Sequence, residues 1–300
     1  RPRLAMILET ELWPNLYAEC GHREVPLVLA SARISPRSVK RYRRLVPLFR
    51  QTLSHGIVIA AQSETDAMRF RSIGANPART HVTGNIKFDF QPPPGIEERG
   101  ARWRELNAAG RPIWVAGSTH EGEEGMILDA HRVVLQHFPE ALLLLVPRHP
   151  QRFEVVRDLL NRRGEAFTNR SSGTAIPRAT SVMLGDTMGE LMMFYAAADV
   201  AFVAGSLVPI GGHNLLEPAS LGRPVLTGPH NFNSEAAACL LLEAGAARMV
   251  ANTGQLGEAV SGLLGNTELR TSMGAAGRGV LDANRGALDR LLKLVDPLLS

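Results

Sequence analysis

The chain is 300 residues long, 45% hydrophobic and 21% charged, with a net charge of +4, a length that suits two α/β domains with substantial cores. Two widely separated cysteines, Cys20 and Cys239, argue against a disulfide framework or a cysteine zinc site and fit a reducing cytoplasm, and no apolar run approaches the roughly 20 residues of a membrane-spanning helix. Aromatic residues make up only 5% of the chain and no nucleic-acid-binding module is recognisable, so no nucleic acid partner is expected.

In chain order, residues 4–84 alternate strand-like and helix-like pieces. A strand at Leu4–Glu9 precedes a helix from Glu11, a strand at Val25–Ala30 precedes a basic helix, and strands at Gly56–Ala61 and Thr80–Gly84 flank a helix at Glu64–Ile73. Such βαβ units imply a parallel sheet covered on both faces. The chain opens on Arg1, and its first strand has nothing before it to pair with, so the first domain reads as cut short at its N-terminus. No acidic residue lies between Glu24 and Glu64, where Arg33, Arg37, Lys40, Arg41, Arg43, Arg44 and Arg50 interleave with Tyr42, Leu45, Val46, Leu48 and Phe49. That pattern is either a solvated basic helix or an amphipathic one that meets an anionic membrane surface or a phosphorylated substrate.

The three prolines of Gln91–Gly95 and the charged run Glu97–Glu105 predict a linker over 91–110. A second series of strands follows at Pro112–Gly117, Ala141–Pro147, Val182–Leu184, Val200–Ala204, Pro224–Thr227 and Ala247–Val250, with helices near Thr253–Leu264, Glu268–Ala276 and Gly286–Leu299. The expected organisation is 1–90 as the remainder of one domain, 91–110 as linker, 111–285 as a second domain and 286–300 as a C-terminal helix, the two doubly wound domains facing a cleft.

The stretch 201–218, AFVAGSLVPIGGHNLLEP, reads as buried strand, glycine-rich turn and helix start. Gly205, Gly211 and Gly212 allow positive φ and close backbone approach, so the turn is a candidate phosphate cradle or an ordinary strand-to-helix turn. Asn214 is a candidate helix cap, and Glu217 either closes a capping box or accepts hydrogen bonds from the hydroxyls of a ribose. Polar clusters fall at the carboxyl ends of the other strands too, where open α/β sheets bind ligands. There Arg148, between Pro147 and Pro150, either suits a phosphate or carboxylate or is a surface arginine capping a strand end, and the Gly189 N–H can face a phosphate or a base edge. Glu190 fits a favourable first-turn acid, while Met188, Leu191, Met192, Met193 and Phe194 fit a core stripe. His120 and Glu124 lie one turn apart without the second histidine of a zincin, so no metal site is expected, and Ser118 or Thr119 is the expected helix cap. Glu9 and Glu11 end the first strand as a carboxylate pair suited to act as a base or to stabilise developing positive charge, and Lys87 either stabilises a leaving phosphate or is an ordinary linker lysine.

Six ordered blocks, ETELWPN at 9–15, GNIKFD at 84–89, STHEGEE at 118–124, VPRHP at 146–150, GDTMGEL at 185–191 and GGHNLLE at 211–217, resemble the signatures of the 3-deoxy-D-manno-octulosonic acid (Kdo) transferases. The resemblance implies a GT-B glycosyltransferase fold of two Rossmann-like domains. It also implies inverting transfer of Kdo from CMP-Kdo to a lipid A precursor (lipid IVA), without metal or cofactor, at the cytoplasmic face of the bacterial inner membrane. Carried over by motif, the CMP contacts fall on Pro147, Arg148, Met188, Gly189, Glu190, Asn214, Leu215, Leu216 and Glu217, and the transition-state stabilisers on Glu9 and Lys87, leaving Glu11 a supporting role. The family's general base, a glutamate in a Gly-Glu pair near the start of the full-length protein, has no counterpart in this stretch, which by itself is expected to bind CMP without transferring Kdo. Two other readings stay open: a UDP-sugar transferase of the same fold, and a non-catalytic nucleotide-binding or membrane-surface module.

Overall fold

The computed structural model describes residues 2–42 and 56–299. Residues 43–55, with Arg43, Arg44, Leu45, Val46, Leu48, Phe49 and Arg50 of the expected basic helix, lie outside the described residues. The chain divides into two compact units, Arg1–Asp89 with Asp282–Ser300, and Phe90–Leu281.

In the first unit, β1 (Ala5–Leu8), β2 (Leu27–Ala32), β3 (Val58–Ala61) and β4 (Thr80–Val82) pair in parallel in the order β1-β2-β3-β4 among the described residues. The central strands β2 and β3 are continuously apolar because both faces are covered, whereas β1 alternates, with Met6 and Leu8 exposed. Leu27 and Leu29 point to one face and pack with Tyr17, Phe70 and Ile73, while Val28 and Ala30 point to the other and meet Leu291 and Val295. Those last two residues belong to the helix Ala287–Val295, expected as a separate terminal piece, which joins the first unit. Its start is held by the Asp89 carboxylate, which accepts from Gly286 N at 2.5 Å and Leu288 N at 2.6 Å, and Arg290 Nε donates to the Thr83 carbonyl at 2.8 Å.

In the second unit, the segment expected as linker contains the helix Ile96–Ala108. Its charged outer face hides an apolar stripe at i, i+4, i+7, Ile96, Gly100 and Trp103, all buried. Gly100 lies so close to the helix Leu191–Ala197 that a Cβ there would stand 2.5 Å from Ala196 Cβ; Trp103 meets Phe194 edge-on at 5.6 Å, and Arg104 makes two 2.9 Å bonds to Asp199. A proline-rich start and a polar surface concealed a packed element.

The strands of this unit are β5 (Ile113–Thr119), β6 (Leu142–Pro147), β7 (Phe167–Asn169), β8 (Val182–Leu184), β9 (Val200–Val203), β10 (Val225–Thr227) and β11 (Ala247–Met249), all paired in parallel in the order β11-β10-β9-β5-β6-β8-β7. The short edge strand β7 was not foreseen, since its three half-buried residues carry no apolar run. From β5 the chain first winds outward through β6, then returns to place β9 on the other side. The order therefore reverses beside β5, and a crevice opens at the carboxyl ends of β5 and β9. No helix among the described residues is long and apolar enough to cross a membrane.

Candidate functional site

The crevice holds a cavity of about 340 Å³ lined by Ser118, Arg148, Gly189, Leu191, Met192, Tyr195, His213, Asn214 and Glu217. They come from the ends of β5 and β6, from the loops after β8 and β9 and from the helices Leu191–Ala197 and Leu216–Ser220 that follow. Ser118, the last residue but one of β5, takes φ 60°, a left-handed conformation that costs a non-glycine residue free energy, where the pairing with β6 shifts register between Gly117 and Thr119. Next to it, a Cβ on Gly117 would lie 2.2 Å from Tyr195 Oη, so only glycine lets the tyrosine hydroxyl reach the cavity wall. Arg148 follows β6; its backbone N–H donates to the Thr119 carbonyl at 3.0 Å, and its exposed guanidinium has no ion-pair partner among the described residues. Gly189 takes φ 80° with open space where a Cβ would be, leaving its peptide accessible.

Asn214 Oδ1 accepts from Leu216 N at 3.1 Å and its Nδ2 donates to Glu217 Oε1 at 3.3 Å, so the cap and the glutamate form one unit. Burial, opposed by the Asn214 bond and the Arg148 charge, raises the Glu217 carboxyl above its ordinary range. Of the remaining CMP candidates, Pro147, Leu215 and Leu216 are buried in strand or core and can offer only backbone atoms. Met188 is exposed outside the cavity lining. Glu190 is held by Arg170 Nη2 at 2.8 Å and by the Thr187 hydroxyl, which turns its carboxylate toward the protein.

The glycine-rich turn requires a correction. The N–H groups of Gly205, Ser206 and Leu207 do not await a phosphate: they donate to the Glu123 carboxylate at 2.6, 3.0 and 2.9 Å, and His120 N donates to it at 3.2 Å. Glu123 is fully buried, and the Gly211 and Gly212 N–H groups donate to the Gly205 carbonyl. The protein's own anion fills the cradle. Sequence reasoning passed over Glu123 as one acid among several in a first helical turn; only the fold shows which acid faces the loop after β9. The expected cap at Ser118 or Thr119 is also absent, since Gly122 takes the N-cap position and Thr119 Oγ1 instead donates to Glu124 Oε1 at 3.3 Å. Glu124, once weighed as a metal ligand, accepts two 3.1 Å bonds from Arg152. Tyr195 and His213 were not singled out from the sequence either, and both line the cavity.

The other candidates lie in the first unit. Glu9 ends β1 at φ 61°, with its carboxylate 2.5 Å from Lys87 Nζ and 3.6 Å from Arg33 Nε. Lys87 is half-exposed, on a turn that follows β4. Glu11 is turned aside to accept from Trp13 Nε1 at 2.7 Å, and its carbonyl accepts from the Tyr17 hydroxyl at 2.6 Å.

Residues 1–90 match the family model described as 3-deoxy-D-manno-octulosonic-acid transferase (kdotransferase). The 3-deoxy-D-manno-octulosonic acid transferase of Haemophilus influenzae is 44% identical to this chain over its whole length, which covers 70% of that protein. The crystallised C-terminal CMP-Kdo binding domain of WaaA from Acinetobacter baumannii is 32% identical at a TM-score of 0.60, covering 62% of this chain and 98% of that domain. HepE of Anabaena, solved with UDP, shares the fold across 98% of this chain and 78% of its own at a TM-score of 0.60 and 15% identity. Full-length identity at this level, with GT-B neighbours, places the chain in the Kdo transferase family of glycosyltransferases.

Proposed function

We infer that this protein is a glycosyltransferase of lipopolysaccharide biosynthesis that takes Kdo from CMP-Kdo and transfers it to a lipid A precursor, with inversion and without a metal or cofactor. The observation that carries the donor assignment is the convergence of Arg148, Gly189 and the Asn214–Glu217 unit on one cavity at the strand-order reversal of the second unit. A guanidinium free of ion pairs suits the phosphate, and a buried carboxylate fixed by an amide suits the ribose hydroxyls. The likeness to a CMP-Kdo binding domain supports the same donor. Glu9 and Lys87 are the proposed stabilisers of the transition state: the two side chains form an ion pair within the first unit, and an ammonium group is suited to offset the charge that develops on a leaving phosphate.

Attachment to the cytoplasmic face of the bacterial inner membrane is supported by the basic segment, of which Arg37, Lys40 and Arg41 stand exposed on the helix Pro36–Tyr42. Calorimetry with CMP and UDP tests the donor: CMP is expected to bind at least tenfold more tightly, and equal affinity would transfer the site to the UDP-sugar reading. Sedimentation with anionic vesicles at low salt tests the surface, because Arg37→Glu with Arg41→Glu should reduce it and leave CMP binding intact.

A further inference from the structure

Three histidines gather where the crevice narrows. His120 follows β5, His149 follows β6 and His213 follows the turn after β9. The His120 and His213 rings lie parallel within 5° at 5.0 Å, and His149 meets His120 edge-on at 5.5 Å. Nε2 of His120 and Nε2 of His213 are 2.7 Å apart, a distance that requires one proton between them. Gly205 permits the pairing, since a Cβ there would stand 3.0 Å from His213 and 3.4 Å from His120. The three rings do not converge on a position that could hold a metal ion.

The pair has two states of very different use to a ligand. Neutral, it shares one Nε2–H, and of the two outward Nδ1 atoms one is a donor and the other a lone pair. With one more proton both Nδ1 atoms become donors and the pair carries a positive charge. Nδ1 of His213, whose ring lines the cavity, has no hydrogen-bond partner among the described residues. Burial, then the neighbouring His120, Arg148 and His149, press the His213 pKa down to about 4, and burial with His149, Arg148 and Arg152, opposed by Glu124, lowers that of His120. The empty pair is therefore neutral near pH 7. Glu217 faces the same cavity, Glu121 and Glu124 are engaged by Arg152, and Glu123, beside the His120 peptide, is saturated by backbone donors. Glu217 apart, these acids are already engaged, and an incoming anion would supply the offset for an added proton.

Because Glu123 occupies the backbone cradle, the nucleotide's phosphate must find its donors elsewhere in the crevice. We propose that the His120–His213 pair is the proton-carrying counter-charge for that phosphate: neutral when the cavity is empty, it takes up one proton when a phosphate ester binds beside Arg148. The proposal rests on the CMP reading above. A unit negative charge about 4 Å away raises a pKa by about three units at the dielectric of a protein surface, enough to bring the pair into its cationic form near neutrality. The same charge would favour the product phosphate, which carries one more negative charge than the phosphodiester donor. Affinity for CMP should thus be strengthened where leaving-group charge develops.

The test is nitrogen NMR of the full chain with isotope-labelled histidine at pH 6.5, together with calorimetry of CMP and cytidine on this protein and on His213→Gln. The ring nitrogens of His120 and His213 are expected to move toward imidazolium values on addition of CMP and to stay in place with cytidine. His213→Gln should weaken CMP roughly tenfold or more, the range for a hydrogen bond to a charged group, with cytidine affinity changed less than twofold. CMP that binds while both rings remain neutral would overturn the proposal and leave the donor assignment standing. Failure of CMP to bind the unaltered protein would remove the donor assignment, and the proposal with it.

Discussion

In the first unit each described strand lies beside its predecessor, β1-β2-β3-β4, whereas in the second the order runs outward from β5 in both directions. Both units are built from the same parallel strand-helix alternation around continuously buried central strands, yet only the second has a reversal among its described strands. At a reversal the loops of adjacent strands depart to opposite faces and leave room between them. The cavity of the second unit sits in that room, beside a loop whose N–H groups are held by the buried Glu123 carboxylate. Glu9 and Lys87 of the first unit form instead a partly exposed pair at a strand end. The lesson is that pre-organisation should be costly to remove in the second unit and cheap in the first.

The sharpest way to break that contrast is Glu123→Ala. Four backbone donors would lose their acceptor, three of them in the loop after β9, and at about 1 kcal/mol or more for each buried unsatisfied group the second unit should lose roughly 4 kcal/mol. Urea unfolding should show it, together with weakened CMP binding; a loss below about 1 kcal/mol would mean that the loop holds itself.

Acid should act next. His131 is buried, with Nδ1 accepting from Trp114 Nε1 at 3.0 Å and Nε2 donating to the Ser181 carbonyl at 2.9 Å, so its neutral tautomer is fixed, and burial lowers its pKa from 6.5 to about 4. Between those values the unfolded chain holds the extra proton. Stability is therefore complete above pH 6.5 and is lost as the pH falls toward 4, by about 3 kcal/mol for this group. Urea midpoints measured by tryptophan fluorescence from pH 7 to 4 check the direction, and a flat profile would sink it.

Arg148→Ala should come third, weakening CMP by about 1.5–3 kcal/mol, the worth of a hydrogen bond to a charged group, with little change in stability because the side chain is exposed. The smallest effect is expected in the first unit. Lys87→Ala should change stability by less than about 1 kcal/mol, as for other exposed ion pairs, and leave CMP affinity within twofold. A large loss of CMP affinity would assign Lys87 to the nucleotide site instead.

Local pattern determined a good deal on its own. Strand positions, the parallel pairing and the clustering of polar residues at strand ends follow from apolar runs separated by helical periods, which are properties of neighbouring residues. The six motif blocks identified the family because they are contiguous in the chain. Tertiary structure alone decided the rest. Which glycine-loop N–H groups remain free depends on Glu123, about 80 residues earlier in the chain. Whether Ile96–Ala108 links or packs depends on a helix some 90 residues later, and the pairing of His120 with His213 depends on β5 and β9 becoming neighbours. Hydrogen bonds and burial are settled by proximity in space, and a one-dimensional pattern carries no distance between residues that far apart.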